Sequence, residues 1–137
     1  MPVPEIAESF AGSVNRVTLG ATKDAGGTRS STITVGGAKN VVYGGSGEDA
    51  GETPVVAMDV LDGKPTDWPD ALVEPYKDVL DSPADWAKKC VEEFGAELIC
   101  VKFEGIHPDK GDLGADHAVK VTEDVLRAVS VPLVLWG

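Results

Sequence analysis

Three short apolar runs alternate with amphipathic segments in the second part of the chain. The runs lie at residues 54–60, 98–103 and 131–136. Their nearly continuous apolar character is typical of parallel strands that are covered on both faces. The alternation predicts strand, loop with helical turns, helix, strand, helix and strand. We therefore expect right-handed βαβ units on a parallel sheet.

Two helices are predicted between these strands. The first has Ser82 as its N-cap and Pro83 at its first helical position, and it ends at Gly95, because these residue types favour those positions. Its apolar stripe recurs every four residues, at Trp86, Cys90 and Phe94. The second helix is predicted over residues 115–129, again with one apolar face. Each helix thus has one side to bury against the sheet.

The N-terminal third follows a different pattern. Short β-prone runs at residues 14–19 and 32–35 flank a Gly-rich turn, which predicts a hairpin, or a three-stranded meander if residues 39–43 form a further strand. A Gly-rich, acidic stretch follows and has almost nothing to bury. The predicted organisation is a hairpin segment at 1–43, a linker at 44–53 and an α/β unit at 54–137.

Charge narrows the classes of partner. The chain has 12 Lys and Arg residues against 23 Asp and Glu residues, a formal net charge of -11. Nucleic acid and anionic membrane would repel such a surface, so neither is expected as the main partner. No apolar run reaches the roughly 18 residues of a membrane helix, and residues 1–10 have no basic region before an apolar stretch, so we expect neither membrane insertion nor export. Two cysteines are typical of a reducing compartment, which predicts a cytoplasmic protein.

The cysteines and histidines do not have the spacing of a zinc site. Nine, six and nine residues separate Cys90, Cys100, His107 and His117, whereas zinc ligands come in pairs about two to five residues apart. Both cysteines lie in predicted apolar surroundings, where a thiol behaves as a small hydrophobe. No metal ligands are therefore predicted.

A Gly-rich turn in the hairpin segment is the first candidate site. Residues 26–30 combine two glycines with Thr28 and Arg29. Backbone N–H groups and a guanidinium in such a turn suit a phosphate or a carboxylate. The alternative is an ordinary turn between two strands.

Acidic residues near the strand ends are the second candidate. Asp59 and Asp62 close the first predicted strand, and Glu104 follows the second. Ligands of parallel α/β folds bind at the carboxyl ends of the strands, where Glu104 is a candidate general acid or hydrogen-bond acceptor. The alternative is that these carboxylates are solvated or cap a helix.

Specific runs of this sequence resemble a known family. The matching runs are VTLGATKDAGGTRS at 17–30, TITVGG at 32–37, PVVAMDV at 54–60, DWP at 67–69, WAKKCVEEFGA at 86–96 and VPLV at 131–134. They are similar to the small subunit of the corrinoid iron-sulfur protein, the bacterial counterpart of the delta subunit of archaeal acetyl-CoA decarbonylase/synthase.

The resemblance implies a (β/α)8 TIM-barrel subunit without its own iron-sulfur cluster. It would pair with a large subunit that carries a [4Fe-4S] cluster and a cobamide, and would help to enclose that corrinoid as an accessory subunit with no assigned catalytic residue. The methyl group would come from a methyl-tetrahydrofolate or methyl-tetrahydropterin methyltransferase and go to acetyl-CoA synthase/CO dehydrogenase. Thr28, Arg29, Asp59 and Glu104 are the candidate cofactor-binding residues.

The sequence differs from the family pattern in length. A full barrel takes about 250 residues and eight strands, whereas this sequence has three predicted barrel strands, so we expect an incomplete barrel. One alternative is a pterin-binding TIM-barrel methyltransferase in which Asp59 or Glu104 holds the pterin ring. The other is a non-functional fragment.

Overall fold

The computed structural model describes residues 12–39 and 51–137. The strands are β1 (Val17–Leu19), β2 (Ile33–Val35), β3 (Met58–Leu61), β4 (Ile99–Lys102) and β5 (Leu133–Trp136). The α-helices are α1 (Asp70–Val73), α2 (Pro83–Glu92) and α3 (Ala115–Ala128). Short 3-10 helices cover Lys23–Ala25 and Glu74–Tyr76. The fold is mixed α/β, as the sequence predicts.

Strands β1 and β2 form an antiparallel hairpin. Val17 pairs with Val35 and Leu19 with Ile33, and the Thr18 hydroxyl lies 3.1 Å from a threonine hydroxyl on the opposite strand. The predicted hairpin is therefore confirmed. Most of the further strand considered at residues 39–43, and the first part of the linker, lie outside the described residues.

Strands β3, β4 and β5 form a parallel sheet in that order. Met58 pairs with Ile99, and Ile99 with Leu133, so the predicted parallel sheet is confirmed. The first strand begins at Met58 rather than at residue 54, because pairing with β4 starts there. Within the described residues the three strands form an open sheet and not a closed barrel.

Helices α2 and α3 cover one face of the sheet and create the core. The Ser82 hydroxyl accepts a hydrogen bond from the Asp85 backbone N–H at 3.3 Å, which confirms the predicted N-cap. Both helices and the sheet contribute fully buried side chains to the core, among them Val60, Trp86, Ala87, Cys90, Ile99, Val101 and Val125. Phe94 was predicted to join them but is 46% exposed, because the helix ends before it at Glu92.

The hairpin is attached to the amino end of the parallel sheet. The Ser30 backbone N–H donates to the Ser130 carbonyl oxygen at 2.8 Å, and the two serine hydroxyls lie 3.0 Å apart. A Cβ added at Gly20 would lie 2.9 Å from the Pro132 ring, so the glycine allows this close approach. The hairpin and the α/β unit therefore share an interface just before β5.

None of the helices in the described residues is long and apolar enough to cross a membrane.

Candidate functional site

A buried carboxylate organises the carboxyl end of the parallel sheet. Asp62 follows β3 directly, and its side chain is only 2% exposed. Its Oδ1 accepts hydrogen bonds from the backbone N–H groups of Glu104 at 3.0 Å and Gly105 at 3.1 Å, and its Oδ2 lies 3.0 Å from the same Gly105 nitrogen. A buried carboxylate requires such donors. Asp62 therefore fixes the path of the chain as it leaves β4.

His117 approaches the same carboxylate from the first turn of α3. Its Nε2 lies 3.1 Å from Asp62 Oδ2, and its side chain is 27% exposed. The contact sets the orientation of the imidazole ring, and a carboxylate near a helix N-terminus is favoured by the helix dipole. Asp62 thus joins three elements, namely β3, the segment after β4, and α3.

Glu104 lies between two lysines at this edge. Its carboxylate is 2.6 Å from Lys110 Nζ and 3.1 Å from Lys102 Nζ. The hydrogen bonds from these ammonium groups, Lys110 first, lower the pKa of Glu104, and the same contact raises the pKa of Lys110. Glu104 therefore carries its negative charge at neutral pH, with its side chain 30% exposed.

We call Asp62, Glu104, Gly105, Lys110 and His117 the carboxyl-end rim. All five line an open cavity of about 460 Å³. A neighbouring cavity of about 350 Å³ is bounded by Lys102, Phe103 and Trp136, and the Trp136 ring is largely exposed. The edge thus combines fixed charges with an apolar aromatic surface.

Gly105 is the tightest point of the rim. A Cβ at this position would lie 2.9 Å from Asp62 Oδ2 and 3.0 Å from Leu113 Cδ1. Both distances are shorter than side-chain carbons normally allow. The absence of a side chain at Gly105 therefore lets the segment after β4 close onto the Asp62 carboxylate.

The Gly-rich turn of the hairpin lies at the opposite end of the sheet. Arg29 donates from Nη1 to the Val129 carbonyl oxygen at 2.6 Å and from Nη2 to the Leu126 carbonyl oxygen at 3.0 Å. Its Nε and Nη2 also donate to the Thr28 hydroxyl. Because a helix end leaves carbonyl groups without helical partners, Arg29 caps the carboxyl end of α3. The guanidinium is engaged within the chain, and neither Thr28 nor Arg29 reaches the rim.

Asp59 is separate from both groups. It lies inside β3, where it pairs with Cys100 on the neighbouring strand, and its side chain is exposed on the face shared with that cysteine. Burial, followed by the nearby Asp59 charge, raises the pKa of the Cys100 thiol. Of the four candidate residues, the structure thus brings only Glu104 into the rim.

The sequence identified Asp62 only as a strand-end carboxylate and considered His117 only as a possible zinc ligand. The two are 55 positions apart, and no local pattern links them. The available signal was the position of Asp62 directly after a buried strand. The Trp68 ring, in the loop after Asp62, packs edge-on against Trp86, with centroids 5.6 Å apart.

The side chains that could bind a metal ion do not form a cluster in the described residues. In residues 12–39 and 51–137, no group of three or more His, Cys, Asp or Glu side chains is placed to hold a metal ion. The His107 ring accepts a hydrogen bond from the Asp109 backbone N–H at 3.2 Å, which makes it part of a local turn.

The class defined by these observations is an α/β protein with a polar rim at the carboxyl ends of parallel strands. Residues 16–137 match the CdhD family, described as the CO dehydrogenase/acetyl-CoA synthase delta subunit. This chain belongs to that family, and the resemblance noted in the sequence is confirmed.

Curated relatives agree with this assignment. The chain is 42% identical over 130 residues to the acetyl-CoA decarbonylase/synthase complex subunit delta of Archaeoglobus fulgidus, covering 95% of this chain and 28% of that protein. It is 34% identical over 140 residues to the subunit of the same name from Methanocaldococcus jannaschii, covering 98% and 34% respectively. The chain therefore spans about a third of the length of these relatives.

Proposed function

We propose that this chain is the N-terminal portion of a delta subunit, equivalent to the small subunit of a corrinoid iron-sulfur protein, that works in the cytoplasmic acetyl-CoA pathway. The observation that carries the proposal is the family match over residues 16–137. The delta subunit would pair with a large subunit that holds a cobamide and an iron-sulfur cluster. The other partners would be a methyltransferase and the acetyl-CoA synthase/CO dehydrogenase component.

In this proposal the carboxyl-end rim forms one wall around the cobamide. A corrin ring with its amide side chains is larger than the cavity of about 460 Å³, so the described residues suit a cover and not a complete site. Glu104 is an acceptor and Lys110 a donor for amide groups at the corrin periphery. The exposed Trp136 ring adds an apolar surface.

The bound cobamide would carry the methyl group from a methyl-tetrahydrofolate or methyl-tetrahydropterin donor to acetyl-CoA synthase, and this chemistry belongs to the cofactor. The contribution of this chain would be to orient the cofactor and to exclude water. A dry, low-polarity enclosure protects a strongly reducing group from side reactions. The chain is thus proposed as an accessory subunit and not as the catalyst.

The proposal extends the observed sheet into a TIM barrel. Strand β5 is an edge strand on which Leu135 and Trp136 are 54% and 63% exposed, and such an edge readily accepts another strand. Strands β3, β4 and β5 would be the first three strands of the (β/α)8 barrel. The hairpin segment at 1–43 and the linker at 44–53 would precede the barrel at 54–137.

The candidate cofactor-binding residues have different roles in this proposal. Glu104 is proposed to face the cobamide, and Asp59 to lie on the sheet face that a closed barrel would enclose. Arg29 is proposed to hold the hairpin on α3, because its guanidinium donates to carbonyl oxygens at the end of that helix. Thr28 is proposed to orient the guanidinium, since its hydroxyl accepts from Arg29.

Co-expression with the matching large subunit tests the proposal. The expected result is a complex that co-purifies and shows a corrinoid absorption band. Glu104→Gln should shift that band or weaken the complex, whereas Glu97→Gln, which changes an exposed carboxylate before β4, should do neither. If only a longer delta subunit associates with the large subunit, the function proposed for this chain is wrong.

A further inference from the structure

We propose that His117 is a positioning residue: through Asp62 it holds the backbone of Glu104 and Gly105 in place, and so sets the position of the Glu104 carboxylate in the rim. Why this position matters rests on the function proposed above. The positioning itself is a property of this chain alone.

The Asp62 carboxylate contacts the backbone after β4 and His117 at the same time. Its Oδ1 serves Glu104 and Gly105 at 3.0 and 3.1 Å, while its Oδ2 lies 3.1 Å from His117 Nε2. A carboxylate that turned about its bond would lose these contacts together. Because Oδ2 also lies 3.0 Å from the Gly105 nitrogen, the histidine and the Gly105 N–H together fix the rotation that aims Oδ1 at the two backbone N–H groups.

The Asp62 carboxylate is buried, and the segment after β4 that it contacts is held by further hydrogen bonds. The Asp62 side chain is 2% exposed, so its carboxylate depends on hydrogen-bond donors of the protein. The Gly105 carbonyl oxygen accepts from the Leu113 backbone N–H at 3.0 Å, and the Glu104 carbonyl oxygen accepts from the His107 backbone N–H at 3.1 Å. The segment after β4 is thus held from both sides, and the Asp62 contacts determine its distance from β3.

The position of the Glu104 backbone determines where its carboxylate lies relative to two lysines. Glu104 is held by Lys102 on β4 and by Lys110 in the following loop. If its backbone moves, the carboxylate changes its distance to at least one of these ammonium groups. His117 therefore acts on Glu104 without touching it.

Amide hydrogen exchange in the full 137-residue chain tests the inference. His117→Leu is expected to increase the exchange rates of the Glu104 and Gly105 amides by about tenfold, since it removes a hydrogen bond to a charged group. The amides of Ile99 and Val101 in β4 should keep their rates. His117→Gln, whose side-chain amide can still donate to Asp62, should restore the protection of Glu104 and Gly105.

His107→Leu is the matched control, because it makes the same change at the other histidine. Its ring contacts the Asp109 backbone N–H, so the Glu104 and Gly105 amides should be unaffected. Unchanged exchange at these amides in His117→Leu, an equal increase throughout the sheet, or no rescue by His117→Gln would overturn the inference.

The outcome separates this inference from the proposed function. Exchange is measured without a large subunit or a cobamide. If His117→Leu loosens the two amides but neither it nor Glu104→Gln shifts the corrinoid band or weakens the complex, the positioning role stands and the proposed function fails.

Discussion

Arg29 in the hairpin and Val129 at the end of α3 are joined by a hydrogen bond of 2.6 Å, although 100 positions separate them in the sequence. The same guanidinium also donates to the Leu126 carbonyl oxygen. One side chain thus serves as the cap of a helix and as the anchor of the hairpin.

Replacement of this guanidinium should destabilise the whole described unit. Arg29→Ala leaves three partly buried carbonyl groups without this donor, so we expect the free energy of unfolding to fall by about 2 kcal/mol. Urea denaturation followed by tryptophan fluorescence measures the loss. Lys23→Ala, at an exposed position of the same segment, is the control and should have little effect. Equal stability of the two variants would show that the Arg29 contacts add nothing.

The rim should not tolerate a side chain at Gly105. Gly105→Ala would bring its Cβ to 2.9 Å from Asp62 Oδ2, and we expect a loss of about 2 kcal/mol in the free energy of unfolding from this overpacking. Gly63→Ala is the matched control, since in the described part of the chain no heavy atom lies within 4 Å of its added Cβ. Chemical denaturation of both variants compares them; a tolerated Gly105→Ala would contradict the packing described here.

Loss of the N-cap of α2 should destabilise the protein less than the two preceding substitutions. Ser82→Ala removes the hydroxyl that accepts from the Asp85 backbone N–H, and we expect a loss of about 1 kcal/mol in the free energy of unfolding. Ser82→Thr keeps a hydroxyl and should retain most of the stability. The midpoints of urea denaturation of Ser82→Ala and Ser82→Thr are compared. If both variants lose the same stability, the N-cap hydrogen bond contributes nothing.

The buried thiol of Cys90 predicts a loss of stability at high pH. Burial raises the pKa of Cys90 from 9.0 to about 11. Between these values the unfolded chain has lost the thiol proton while the folded chain retains it, so the free energy of unfolding falls as pH rises from 9 to 11. Urea denaturation across this window should show a shallower decline for Cys90→Ala than for the unaltered chain. If the free energy of unfolding falls equally with pH in Cys90→Ala and in the unaltered chain, the buried Cys90 thiol is not the cause of the loss.

Local patterns predicted most of the fold. The continuous apolar runs identified β4 and β5, and Ser82 with Pro83 identified the start of α2, because these features depend on neighbouring residues alone. The start of β3 was predicted four residues early, since where a strand begins depends on where its partner begins. Phe94 matched the helical spacing, but the helix ends before it.

The candidate site was less accessible to sequence reasoning. Glu104 could be named as a candidate because the end of a buried strand is recognisable in the sequence. The contact of Asp62 with His117 could not be predicted, since it spans 55 positions. Arg29 resembled an anion-binding residue because Gly-rich turns with arginine commonly bind anions. Its partners are backbone carbonyl groups 97 to 102 positions away, and carbonyl groups carry no signature in a sequence.

The contact between Ser30 in the hairpin and Ser130 before β5 also has a consequence for the order of events during synthesis. Ser30 emerges from the ribosome about a hundred residues before the Ser130 to which it binds, which at about 5–20 residues per second is a wait of roughly 5 to 20 s. The hairpin cannot dock onto Ser130 during this interval. The hairpin is therefore translated before the α/β unit but reaches its final place only after Ser130 has emerged.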